Sequence, residues 1–133
     1  PTKEKSAPKP VRQARFFVVS LPDQQVLLEQ RPQTGLWGGL WNPPERPAQT
    51  STESFLQSQG VHPEDVLQAR DGKPFRHTFS HFHLDIEPVY VALKRQPTVL
   101  QENIQRWVSL TQLGEQDETI GLSAAALRLL KEH

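Results

Sequence analysis

The chain contains no cysteine and no methionine. Without cysteine there are no disulfides, no thiol catalysis and no cysteine-ligated zinc or iron–sulfur cluster within these residues, and a cytoplasmic location is compatible with that. Net charge is absent as well: Lys+Arg and Asp+Glu both number 15. No global positive field therefore drives nonspecific binding to nucleic acid, and any such contact has to be local. No apolar run approaches the ~20 residues of a membrane-spanning helix, and the basic start lacks the apolar stretch of a signal peptide, so a soluble protein without a membrane partner is expected. With Pro at position 1 and no Met anywhere, the chain reads as a fragment of a longer polypeptide.

What is present fits one domain, since 133 residues leave little room for two cores. Proline is plentiful, at 12, but falls between hydrophobic runs, which argues for a globular, loop-rich fold over disorder. The charge is uneven. Across residues 1–15, Lys3, Lys5, Lys9, Arg12 and Arg15 oppose only Glu4, giving +5 − 1 = +4. Residues 1–11 (PTKEKSAPKPV) read as a basic, Pro-rich connector, and residues 12–133 as the folded domain. The cluster suits a solvated tether as well as it suits phosphate contacts from Lys3, Lys5, Lys9 and Arg12.

Phe16 to Val19, the Pro-Asp chemistry of LPDQQ, and Val26 to Leu28 spell strand, turn, strand. GLWGGLWNPPE precludes a helix and suggests a looping backbone beside a short strand, with Trp37 and Trp41 packing there. Ser/Thr caps, Glu53, Phe55 and Leu56, with Gly60 as the stop, predict a short helix near 52–59. Residues 74–93 read as two strands around a turn or bulge, with Leu84, Ile86, Tyr90 and Ala92 on one parity. A short strand follows at 104–108, and Ser109 can cap a single helical turn ending near Leu113. Leu122, Ala126, Leu129 and Leu130 predict a C-terminal helix near 123–132, with Ser123 as its cap and Leu122 and Leu127 as a hydrophobic staple. The expected class is α+β: a mixed sheet with two modest helices.

Gly39, Glu45, Phe55, Gly60 and Val61 fall without a gap in the frame G-x5-E-x7-R-E-U-x-E-E-x-G-U, where U is bulky and apolar. The chain thus resembles the Nudix family, which implies an α/β/α sandwich. The chemical half of the frame is missing. Glu53 stands at its Arg, and Ser54, Gln57 and Ser58 stand at its three glutamates. Neither Ser nor Gln supplies the carboxylate charge that holds magnesium against a diphosphate.

LLEQRPQTGLWGGLW and HTFSHFHLDI carry a sharper resemblance, which continues through RWVSL to the final helix. From about residue 12 onward the chain is similar to the C-terminal domain of MutY-family adenine DNA glycosylases. One departure is Pro43, where that family carries Phe. The resemblance implies DNA repair in a bacterial cytoplasm: a noncatalytic domain that clamps the duplex and recognises 8-oxoguanine opposite adenine. Adenine excision and an iron–sulfur cluster would belong to an N-terminal catalytic domain of the same polypeptide, with no cofactor or metal in this part. The family's Phe-Ser-His loop falls on Phe79, Ser80 and His81. Guanine offers an acceptor at N7, whereas 8-oxoguanine has an N7–H donor beside a C8 carbonyl, and a hydroxyl such as that of Ser80 both accepts and donates. Phe79 reads as core, loop support or a wedge against the duplex, and Ser80 also suits a turn hydrogen bond. His81 can donate to a phosphate or a base edge. His77, His81 and His83 share strand parity, as metal ligands or as structural histidines, unless a turn intervenes. Two other functions remain open: an active Nudix hydrolase of oxidised nucleoside triphosphates, and a protein-interaction module on a Nudix scaffold without its chemistry.

Overall fold

The computed structural model describes residues 8–100, 104–113 and 121–132. Lys3, Lys5 and most of the expected connector lie outside the described residues. The apolar run after Arg15 becomes the later half of β1 (Val11–Ser20), and a turn leads into β2 (Gln25–Gln30). The glycine-rich stretch leads to two short strands, β3 (Trp41–Asn42) and β4 (Glu45–Pro47). Then come α1 (Thr52–Ser58), a 3-10 turn at Pro63–Asp65, and β5 (Val66–Asp71). The remainder is β6 (Phe75–Thr78), β7 (His83–Leu93), β8 (Gln105–Ser109), α2 (Leu110–Leu113) and α3 (Ala124–Lys131).

These strands form one mixed eight-stranded sheet with the main order β3-β2-β1-β7-β5; β4 pairs with β1, β6 with β7 and β8 with β2. Its spine is the parallel pairing of β1 with β7 from Val11↔His83 to Ser20↔Ala92. The later halves of both strands are apolar on both parities because both faces of the sheet are covered there. Phe16, Val18, Leu84, Ile86 and Tyr90 pack toward Ala125 and Leu129 of α3, whereas Phe17, Val19, Val89, Val91 and Leu93 pack toward Phe55 and Leu56 of α1. The result is the expected α/β/α sandwich.

Both expected helices form where their caps place them. The Ser51 hydroxyl accepts from the Ser54 amide at 3.0 Å, and the Ser123 hydroxyl from the Ala126 amide at 3.0 Å. At the end of α1, Gly60 takes φ +73°, while the amides of Gly60 and Val61 donate to the carbonyls of Gln57 and Leu56. This is a Schellman closure that only glycine enters without strain. The Leu122–Leu127 staple does not form. Leu127 is 52% exposed, while Leu122 packs against the cluster of Val26, Leu28, Trp41 and Val108. What fixes the entry to α3 is a pair of polar contacts instead: Trp41 donates its amide to Gly121, and the Ser123 hydroxyl donates to the Asn42 side chain. The sequence also gave no sign of β5, an exposed edge strand held by its ladder to β7.

Candidate functional site

Two regions carry chemistry, and the first surrounds α1. The scaffold positions of the Nudix frame are in place: Gly39 has φ +75°, Glu45 opens β4, and Phe55 is buried. On the helix, Glu53, Ser54, Gln57 and Ser58 are exposed, and the Ser58 hydroxyl donates back to the Phe55 carbonyl at 2.6 Å. Glu45, the one frame carboxylate that survives, is bound by Arg31. Arg46 grips Glu29 with both terminal nitrogens at 2.9 Å, and those hydrogen bonds raise its pKa above the ordinary arginine value despite desolvation, helped by the charges of Glu29 and Glu45. Gln105 Nε2 donates to Glu29 at 2.8 Å and to Gln59 at 2.9 Å, tying β8 to the end of α1. Glu29, Arg31, Asn42, Pro43, Glu45 and Ile104 line a cavity of about 420 Å³. Asn42 is 1% exposed, and its Nδ2 has no hydrogen-bond partner among the described residues. These residues do not fit the divalent metal of the Nudix frame: hydroxyl and amide groups replace three of its carboxylates, and a guanidinium already neutralises the fourth.

The second region is the turn at residues 79–82 between β6 and β7. It is closed by the Phe79 amide donating to the Phe82 carbonyl at 2.8 Å. Phe79 is half-buried: it stacks on Phe82 at 4.7 Å and meets Trp37 edge-on at 5.3 Å and His77 at 4.6 Å. Its side chain therefore supports the loop. Ser80 and His81 stand exposed at the tip. The connector's last residues reach the same place. Lys9 Nζ donates to the Phe79 carbonyl at 3.0 Å, the His83 amide donates to Pro10, and the Arg12 guanidinium lies 4.2 Å from the centre of the Phe82 ring. Two of the four basic residues singled out from the sequence thus sit beside the three loop residues; Lys3 and Lys5 are outside the described residues.

The turn also breaks the shared parity of the histidines. His77 joins the aromatic cluster, His83 Nδ1 pairs with the Thr78 hydroxyl at 2.8 Å, and His81 is solvent-facing. Among the described residues no three His, Asp or Glu side chains converge to hold a metal ion. Next to the turn, Arg76 binds Asp85 at 2.7 Å and holds that carboxyl below the usual aspartate range. Sequence reasoning missed Trp37 and Phe82 as parts of this assembly. Trp37 offers one local mark, φ +52° in a non-glycine residue, a conformation kept only where its surroundings hold it.

A layered α/β/α domain with a Nudix loop–helix–loop is the class that this geometry defines. The family profile of the NUDIX domain matches residues 15–132, and the chain belongs to that family. Among solved structures it is similar to the C-terminal domain of mouse MUTYH in complex with human PCNA, at 22% identity and TM-score 0.70, covering 90% of this chain and 84% of that one. It is also similar to the NUDIX domain of Shewanella oneidensis NrtR complexed with ADP ribose, at 14% identity and TM-score 0.66, covering 93% and 86%. A third likeness is to the MutT NUDIX hydrolase of Burkholderia pseudomallei, at 14% identity and TM-score 0.61, covering 91% and 96%. Likenesses at this identity establish the fold. Among the described residues no helix is long and apolar enough to cross a membrane.

Proposed function

We propose that this chain is the noncatalytic C-terminal domain of a MutY-family adenine DNA glycosylase, which recognises 8-oxoguanine opposite adenine and clamps the duplex. The observation that carries the reading is the turn at residues 79–82, where a packed aromatic base holds Ser80 and His81 in solvent with Lys9 and Arg12 beside them. Ser80 accepts from N7–H and donates to the C8 carbonyl of the lesion, and His81, Lys9 and Arg12 supply donors for phosphates or base edges. Residues 1–11 then act as the connector from a catalytic domain that carries the iron–sulfur cluster, and residues 12–133 as the reader. The likeness to the MUTYH domain supports this assignment at the level of fold.

Two measurements test it. The chain should bind a duplex containing 8-oxoguanine opposite adenine more tightly than the same duplex with guanine opposite adenine, and Ser80→Ala should bring the two affinities together. Equal affinities for the unaltered chain would remove the loop as lesion reader. Separately, the chain with magnesium or manganese should release neither phosphate nor pyrophosphate from oxidised or normal nucleoside triphosphates, because Ser54, Gln57 and Ser58 hold no metal. Robust turnover that disappears in Glu45→Gln would establish a hydrolase instead.

A further inference from the structure

The loop at residues 32–40 joins β2 to β3. Pro32 to Gly35 and Gly38 are exposed, yet Leu36 and Trp37 turn inward onto the cluster that holds Phe16, Ile86 and Leu129. Trp37 does so at φ +52°, which a non-glycine residue keeps only under restraint. Backbone contacts close the base of the loop: the Gly39 amide donates to Pro32 at 3.0 Å and the Arg31 amide to Leu40 at 2.8 Å. Gln30 Nε2 donates to the Gly39 carbonyl at 3.1 Å, again at the base. Arg31 reaches the middle. Its Nε donates at 3.3 Å to the carbonyl of Leu36, the residue that leads into Trp37. Glu45 on β4 binds the same guanidinium through a terminal nitrogen, which fixes its plane and so aims Nε.

Trp37 in turn meets His77 at 5.6 Å and Phe79 edge-on at 5.3 Å, and Phe79 opens the turn that presents Ser80 and His81. Contacts therefore run without a break from Glu45 through Arg31, Leu36 and Trp37 to Phe79. We propose that Arg31 is a positioning residue for the turn at residues 79–82, acting through Trp37 and Phe79, and that Glu45, the surviving frame carboxylate, orients it. The proposal rests on the reading of that turn as the lesion reader and adds a specificity determinant outside it. A lysine does not replace Arg31 in this role. One ammonium can stay on Glu45, but it lacks the second, rigidly placed donor that reaches Leu36 at the same time.

The test compares Arg31→Lys and Arg31→Gln with the unaltered chain by amide and indole NMR, and by affinity for duplexes with 8-oxoguanine or guanine opposite adenine. Both variants should shift the Trp37 indole signal and the amides of Ser80 and His81. The Trp107 indole, packed with the cluster on the α1 face of the sheet, should stay in place. Preference for the oxidised duplex should fall by about twofold to about thirtyfold, the range of coupling carried by packed networks, while affinity for the guanine duplex changes little. A purely structural loss would instead weaken both duplexes alike and leave the signals of the folded protein where they were. Arg31→Lys can keep the ion pair, so it carries the test if Arg31→Gln does not fold. Equal affinities of the unaltered chain for the two duplexes would overturn the lesion reading, and the shifts at Ser80 and His81 then decide alone whether Arg31 positions the turn. The proposal fails if those signals do not move in folded Arg31→Lys, or if that variant keeps the full preference of the unaltered chain.

Discussion

Phe55→Ala should cost the domain about 3–5 kcal/mol, a large share of the roughly 5–15 kcal/mol by which a domain of this kind is stable. Phe55 is 1% exposed, and its ring lies 4.0 Å from that of Phe17 with the planes 3° apart. Truncation removes both the buried area and the stacking, and the seven-residue α1 is too short to hold its place by helix propensity. Arg46, whose guanidinium lies 5.2 Å from the centre of that ring, would lose its floor as well. Denaturant unfolding followed by circular dichroism gives the number. Leu127→Ala is the matched control on α3, where an exposed apolar side chain should change stability by no more than about 0.5 kcal/mol. A loss below about 1 kcal/mol for Phe55→Ala would mean that α1 is not anchored on the sheet through this ring.

The second large effect is expected in lesion preference. With the chain joined to its catalytic domain, changing Phe79 and Ser80 together to alanine should collapse the preference for adenine opposite 8-oxoguanine over adenine opposite guanine, read as single-turnover excision rates on the two mispairs. Ser80→Ala alone should cost about 1 kcal/mol, rising to about 3 if a base edge is left unsatisfied, which is about fivefold to about 150-fold. The double change should exceed the single one because the two residues act on one structure. Phe79 holds the turn through Trp37, His77 and Phe82, and the hydroxyl at the tip is only as well aimed as that base. General duplex affinity, set by cations such as Lys9 and Arg12, should change little. A folded double variant with its full preference would move lesion reading elsewhere.

Much of this arrangement can be read from residues close together in the chain. Ser51 and Ser123 announce their helices because capping is a contact over three positions, and the run after Arg15 announces a strand buried on both faces. The turn at residues 79–82 follows from the change in pattern between RHT and HLDI. What escapes such reading depends on partners far along the chain. β5 carries no alternation, since nearly all of VLQARD is exposed and only its pairing with β7 makes it a strand. Leu127 has helical spacing but faces water. Trp37 meets Phe79, and Glu29 meets Arg46, only after the sheet has brought three or more elements together. The loss of three of the frame's carboxylates is plain in the sequence; Arg31, which balances the surviving Glu45, is not.

The long parallel pairing of β1 with β7 also governs when the domain can form. Each residue of β1 meets a partner 83 − 11 = 72 positions later, so the sheet's spine can close only after a large loop has been drawn in, an entropic cost met before most of the contacts that offset it. During synthesis, the edge of β1 that β7 pairs with must therefore wait, unpaired, until β7 has left the ribosome, and the face that α3 covers must wait longer still. Folding should be late and cooperative rather than progressive, and a chain cut before His83 should have no stable sheet to rest on.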